Sequence, residues 1–306
     1  MEDKMKKAFL ITALVVAFTT FSTYHVLAYP TLPTPDWQLK FQNLEMFNPD
    51  LQPDIVETPN VDESALSGMI GDGIEDNWGI AKVTRIGAGH GNPPSVWSDI
   101  SDHYEIYAVF GGLDVKSWKY STTANGGSFQ TQAATQAYVG GSLVSVSPFF
   151  HLYLWDENAP DFMEWSDLFA QGQAGRTGAY AYTGITGGSG QLLVEFDFAN
   201  GILGSDSAVL TLGAANGTNP PTGDGNAYAI VDDTNVGLWT ELIYPTYDTD
   251  FGMRDGFLQF TYVSLFHDAQ GNPLDPQDYS EEALAGWALS SQDPFEGSAV
   301  PEPASM

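Results

Sequence analysis

The sequence predicts an all-β protein: an antiparallel β-sandwich or jelly-roll-like single domain with one or two short helices. Three observations carry that expectation. Short runs rich in Val, Ile, Phe, Tyr and Thr recur along the chain, many alternating apolar with polar residues. Turn clusters such as Asn125-Gly126-Gly127, Gly187-Gly188-Ser189-Gly190 and Thr222-Gly223-Asp224-Gly225 separate them, within a total of 32 Gly and 18 Pro. Helical periodicity is confined to two places, and no period of about 20 to 50 residues recurs that would indicate a solenoid or propeller.

Residues 1–28 read as a signal peptide. Lys4, Lys6 and Lys7 precede the apolar run Ala8 to Phe18, and Val26-Leu27-Ala28 suits cleavage between Ala28 and Tyr29. That run is too short for a bilayer core of ~30 Å, so no stable membrane span is expected. Residues 29–65 are rich in Pro and Asp and read as an extended arm, with one edge strand near Trp37 to Phe41. The β-domain is expected over 66–290. Its strand candidates are Gly79 to Ile86, His103 to Val115, Leu143 to Ser147, Phe150 to Trp155, Gln191 to Phe198, Ala208 to Leu212, Ala227 to Val231, Leu238 to Ile243 and Phe257 to Phe266. Gly111-Gly112 marks a turn or bulge in the second of these. Asp161 to Gln171 places Phe162, Trp165, Leu168 and Phe169 on one helical face, and Ser280 N-caps a short helix toward Leu289. Residues 291–306 read as a flexible tail.

Composition narrows the function classes. Of 306 residues, 43% are hydrophobic and 13% aromatic, enough for a packed core, and no cysteine offers a disulfide, a thiol nucleophile or a thiolate ligand. Ten Lys and Arg face 39 Asp and Glu, a net charge of −29. Such a surface repels nucleic acid and anionic membranes and suits Ca²⁺ and hydrated polymers.

Catalytic signatures are scarce. His90, His103, His151 and His267 are scattered, with no pair at i, i+4 and no HExxH. Gly188-Ser189-Gly190 lacks the frame of a nucleophile elbow. Gly87-Ala88-Gly89-His90-Gly91 follows a strand but precedes Asn92-Pro93-Pro94, so no helix N-terminus is available to cradle a phosphate. Glu195 and Asp197 share one face of a strand and resemble the ExDxxE strand of some β-sandwich glycoside hydrolases, but Asn200 stands where the second glutamate should be. No catalytic residue and no required cofactor are therefore expected. Calcium is the metal that the oxygen-rich loops would suit, with Asp232, Asp233, Asp248, Asp250, Asp268 and Asp275 as candidates, although none follows the EF-hand spacing.

One short motif reaches further. Val300-Pro301-Glu302-Pro303-Ala304-Ser305 resembles the sorting signal of PEP-CTERM proteins, exported by Gram-negative bacteria that make exopolysaccharide. Asp76-Asn77-Trp78-Gly79-Ile80 also looks like members of that family. The resemblance implies a secreted or cell-surface protein of the extracellular matrix or biofilm, handled by the export machinery and an exosortase, with extracellular polysaccharide as a partner. The family pattern continues into a transmembrane helix and an Arg cluster, which do not follow Ser305 here, so the chain as written is expected not to pause in the membrane. Two prolines hold the motif extended, a form that a processing enzyme can bind at low ordering cost. A carbohydrate-binding or carbohydrate-acting β-protein is the alternative, for which the eight Trp are raw material.

Overall fold

The computed structural model describes residues 30–47, 68, 70–99, 103–121, 126–216, 222–266 and 274–300. All elements below belong to the unit that runs from Leu32 onward. In chain order the strands are β1 (Asp36–Phe47), β2 (Asn77–Ala88), β3 (Ser95–Ser98), β4 (Tyr104–Ser121), β5 (Gly126–Ala133), β6 (Gln136–Val139), β7 (Ser142–Ser145) and β8 (Phe149–Asp156). Helix α1 (Trp165–Ala170) follows, then β9 (Arg176–Gly178), β10 (Ala181–Tyr182), β11 (Gln191–Ala199), β12 (Thr211–Asn216) and β13 (Thr222–Asp232). The chain continues through β14 (Ile243–Tyr244), β15 (Tyr247–Thr249), β16 (Gly252–Arg254), β17 (Gly256–Ser264), helix α2 (Glu281–Leu284) and β18 (Leu289–Ala299).

The all-β expectation holds, but the sheet closes into an eight-stranded antiparallel barrel with additional strands, not a two-sheet sandwich. Two long strands are the reason. β4 pairs with β8 over residues 104–111 and with β5 over 113–121, while its other side pairs with β2. β13 does the same with β12 and β11, and pairs with β17 on its far side. The wall therefore runs β4–β2–β1–β18–β17–β13 and returns to β4 through two bridges, β11–β8 and β12–β5. Register shifts at Lys40/Phe41, Asn77/Gly79, Val115/Ser117 and Leu192/Val194 supply the bending that closure needs.

Aromatic side chains fill the lumen. Phe41, Phe150, Phe196 and Phe295 come from β1, β8, β11 and β18, which are not all neighbours in the wall, yet their rings meet at centroid distances of 5.2, 6.5, 5.7 and 4.9 Å. A second core lies outside the wall. Leu44, Trp78, Ile80, Tyr107, Phe149 and Trp155 on the outer faces of β1, β2, β4 and β8 pack with Leu168, Phe169, Tyr182 and Trp287. Strands buried on both faces explain why the β4 and β8 segments read as continuous apolar runs instead of alternating ones.

Several expectations about the ends change. Residues 36–47 form no edge strand of an extended arm: β1 pairs along its length with β2 on one side and β18 on the other. The flexible tail does not begin at 291, because 291–299 belong to β18, between β1 and β17. Pro294 is a residue that central strands disfavour. It is accommodated where the β17–β18 pairing is interrupted between Leu258↔Phe295 and Tyr262↔Ser291, and Asp293 Oδ1 accepts the Thr261 N–H in place of a ladder bond. Leu238 to Leu242 form turns, and only Ile243 and Tyr244 pair, with β18. Gly111-Gly112 sits inside β4, where that strand exchanges β8 for β5.

Both helices appear, shortened. α1 starts after Glu164 and buries Leu168 and Phe169. Ser280 caps α2 as expected, its hydroxyl accepting from the Ala283 N–H at 3.2 Å, and β18 begins at Leu289. Among the described residues no helix is long and apolar enough to cross a membrane.

Candidate functional site

The inward turn of Phe150, Val194 and Phe196 places the residues between them on the outer face of the wall. Pairing of β8 with β11 sets His151 opposite Glu195, and pairing of β11 with β13 sets Glu195 opposite Asp232. Asp197, two residues on, shares that face. The result is a row of one imidazole and two carboxylates across three strands, with a third carboxylate beside it.

The row is largely covered at one end. His151 is 7% exposed and Glu195 8%. The Tyr180 ring stacks on the imidazole at 5.8 Å and 19°. His151 Nδ1 is buried without a hydrogen bond, and its nearest carboxylate oxygen is Glu195 Oε1 at 3.6 Å. Asn235 Nδ2 donates to the other Glu195 oxygen at 2.9 Å. Burial pushes His151 down to about 4, against the pull of Asp232, so the ring is neutral at pH 7. Asp197 is pushed up to about 6, first by burial and then by Asp232 and Glu195. Asp232 moves the other way, because the Thr234 side chain and N–H donate to it. Chemically, the row offers one neutral imidazole, one carboxyl that titrates near neutrality and several acceptors for hydroxyl or amine groups.

Other anticipated positions fall elsewhere. Asp248 and Asp250 flank Thr249 in the β15–β16 hairpin and line an open cleft of about 350 Å³ with Gly201, Gly204 and Tyr228. Arg254 anchors that hairpin: its Nε donates to the Asn200 carbonyl at 2.8 Å, and Nη2 donates to Asn200 Oδ1 and to the Phe251 carbonyl. Asn200, read as a missing glutamate, is thus a hairpin anchor. Tyr228 also meets Tyr247 and Phe257 at 6.0 and 5.2 Å, a half-exposed aromatic trio beside the cleft. Asp233 and Asp275 are exposed and lie in separate loops, and Asp268 lies outside the described residues. Among the described residues no three His, Asp or Glu side chains are grouped as a metal site.

Val300 follows β18 directly; its N–H donates to the Leu242 carbonyl at 2.8 Å and its side chain is exposed. Pro301, Glu302, Pro303, Ala304 and Ser305, like Ala28 and Tyr29, lie outside the described residues.

Two groupings were not foreseen from the residues. His151 joins Glu195 only because β8 pairs with β11 across about forty residues of intervening chain, and local alternation carries no record of that pairing. His90 lies between Glu296 Oε2 at 3.1 Å and Asp36 Oδ1 at 3.5 Å, carboxylates from opposite ends of the described chain. A scan of protein-family models and a search of curated proteins both returned no match to this chain.

Proposed function

We propose that this is an exported, non-catalytic protein of the cell surface or extracellular matrix, delivered by a PEP-CTERM-type signal in a Gram-negative host. The observation that carries the reading is the run Val300-Pro301-Glu302-Pro303-Ala304-Ser305, which opens at an exposed Val300 immediately after the last barrel strand. A substrate for an exosortase must offer its motif to a processing enzyme, and a run whose two prolines keep it out of helix and sheet suits that role. The basic and apolar N-terminal segment and the net charge of −29 agree with export into a hydrated polymer.

The test follows the full chain in a host that carries an exosortase, comparing wild type with a Pro301→Ala/Pro303→Ala variant by fractionation and mass spectrometry. Wild type is expected outside the cytoplasm and the double variant in a different fraction or form. Intact wild-type chain confined to the cytoplasm overturns the reading.

A second reading, carbohydrate binding, is favoured by one observation: the Tyr228, Tyr247 and Phe257 trio beside the cleft that Asp248 and Asp250 line. Aromatic faces and carboxylates are the groups that hold sugar rings and hydroxyls. A glycan array separates the two readings: specific retention lost in Tyr228→Ala supports binding, and an array without retention leaves the matrix role.

A further inference from the structure

The lumen of the barrel is aromatic along most of its length but polar toward one end. There, β1, β2 and β18 contribute Asn43, Glu45, Asn77, Ser291 and Asp293, and Glu45 and Asp293 are almost fully enclosed. Their shortest hydrogen bonds run in sequence from one acid to the other, and Ser291 also reaches Glu45 as Asn43 also reaches Asp293. Asp293 Oδ2 lies 2.6 Å from Ser291 Oγ, and Ser291 Oγ is in turn bonded to Asn43 Oδ1. Asn43 Nδ2 donates to Glu45 Oε1 at 3.1 Å, and Asn77 Nδ2 donates to Glu45 Oε2 at 2.8 Å. Asp293 Oδ1 accepts the Thr261 N–H at 3.1 Å.

Counting donors decides the protonation. Ser291 owns one hydroxyl proton but stands between two oxygens that, with both acids ionised, could only accept. The serine would then leave one oxygen facing another at hydrogen-bond distance, buried, a costly arrangement. One more proton resolves it. With the proton on Asp293 Oδ2, the acid donates to Ser291, Ser291 donates to Asn43 Oδ1, and the amide donates to Glu45. Glu45 already receives an amide N–H on each oxygen, which is the pattern of an ionised carboxylate. Rotating the Asn43 amide does not remove the requirement. It would turn the amide oxygen toward Glu45, which would then need the proton, while Asn43 Nδ2 donated to Ser291 and Ser291 to an ionised Asp293.

We propose that Glu45 and Asp293 form a one-proton acid pair wired through Ser291 and Asn43, with the proton resident on Asp293 and the charge on Glu45. Either orientation of the chain holds one proton, never none. Burial, and for Asp293 the neighbouring Glu45, push both acids above the ordinary carboxyl range, in agreement with the donor count. No other charged group among the described residues shares this space. Lys40 and Arg85 reach Asn92, Lys82 reaches Asp99 and Glu105, and Glu296 accepts from Gln38, all on the outer side of the wall. On β4, Asp114 accepts from Gly71 and Gly73 and Lys116 pairs with Asp206. The pair is thus a pH-sensitive element built into the barrel. Its stabilising contribution is complete below the ordinary carboxyl pKa and is lost as pH rises through the folded value of Asp293.

Infrared difference spectra of the full chain at neutral pH, with the aspartate carboxyls isotopically labelled, test the assignment. Wild type minus Asp293→Asn is expected to show one protonated aspartic acid band, because the amide replaces the protonated acid atom for atom. Wild type minus Glu45→Gln is expected to show the same aspartic band. While Asn77 Nδ2 keeps its bond, the glutamine oxygen faces Asn77 and its amide N–H faces Asn43, which reverses the chain, so Asp293 gives up its proton although it remains in place. No merely structural role for Glu45 predicts loss of an aspartic proton. Asp293→Asn should also melt less steeply with rising pH than wild type. An unchanged aspartic band in Glu45→Gln, no band in the first difference, or failure of Asp293→Asn to fold each overturns the proposal.

Discussion

Arg176 and Glu75 form a two-pronged ion pair, with 2% and 1% of their side chains exposed, that ties β9 to the turn before β2. The same guanidinium lies 4.8 Å from the centroid of the Trp78 ring, and Glu75 Oε1 also accepts the Gly112 N–H at 2.6 Å. One arginine therefore joins the outer segment to Glu75 and to Trp78 of β2, and through Glu75 to Gly112 of β4. A buried pair of this kind adds little beyond a well-packed apolar pair, but stranding one partner is costly. We expect Arg176→Met to lose about 3–5 kcal/mol in chemical denaturation, and Glu75→Leu/Arg176→Met to recover most of it. A double variant no more stable than Arg176→Met would show that the pair holds geometry that apolar side chains cannot.

Gly112 accepts a conformation that few residues could. Its φ is +75°, and a Cβ there would lie 2.2 Å from the Ser147 carbonyl oxygen and 2.6 Å from Pro148 Cα. The clash falls where β4 exchanges one barrel partner for another. Gly112→Ala is expected to lose more than the ~1–3 kcal/mol of backbone strain alone. Gly140, with φ +56° and open space around it, gives the control. Gly140→Asn should cost under about 1 kcal/mol, asparagine being among the residues that tolerate this region. Equal losses at the two positions would remove the steric argument.

What the sequence made legible follows from the range of each signal. Alternation, turn glycines and the Ser280 cap are local, and they located most of the strands and both helices. Closure into a barrel is not local: it depends on β4 and β13 each serving two partners in succession, and nothing in Tyr104 to Ser121 announces the change except Gly111-Gly112. The ends were misread for a related reason. Pro294 and the proline-rich approach to Trp37 argue against central strands one residue at a time, whereas β1 and β18 are held by each other. At the outer row, Glu195 and Asp197 were visible on one strand face, but His151 and Asp232 joined them only through register. The Asp76-Asn77-Trp78 run, noted first for its resemblance, acts structurally: Asp76 accepts from Val115, Asn77 donates to Glu45, and Trp78 packs in the outer core.

Asp76 gives a prediction with a defined pH window. It is fully enclosed, its Oδ2 accepts the Val115 N–H at 2.8 Å, and it lies close to Asp114. Burial first, then Asp114 and Asp72, push it up to about 9, so it is protonated at neutral pH. An acid whose folded pKa is raised contributes its full stability below the unfolded value near 3.8 and loses it as pH rises through about 9. Asparagine keeps the acceptor for Val115 and carries its own donor toward Asp114. Asp76→Asn should therefore be more stable than wild type, by a margin that widens from about pH 4 to about pH 9 and then levels off. A margin independent of pH in thermal melts would mean that Asp76 is ionised in the folded protein.

In the outer row, His151 and Asp197 oppose each other, and their pH dependences separate them. His151 is held down to about 4 by burial. A base with a lowered folded pKa contributes fully above its unfolded value, about 6.5, and loses that contribution as pH falls toward 4. Asp197, raised to about 6, behaves in the reverse sense: its contribution is complete below about 3.8 and declines as pH rises through 6. Between these limits the two trends offset, so from about pH 4 to about pH 6.5 this pair should add little net slope to the decline that Asp76 and Asp293 impose on wild type. Replacing one partner exposes the other. His151→Gln loses the stacking on Tyr180 at every pH, a constant offset, but its stability relative to wild type should improve by up to about 3 kcal/mol as pH falls through this window. Asp197→Asn should gain on wild type in the opposite direction, as pH rises. Melting curves of the three proteins across the window decide the matter: parallel profiles would mean that His151 is already open to water and protonates freely, and the buried row would then offer no neutral imidazole to a ligand.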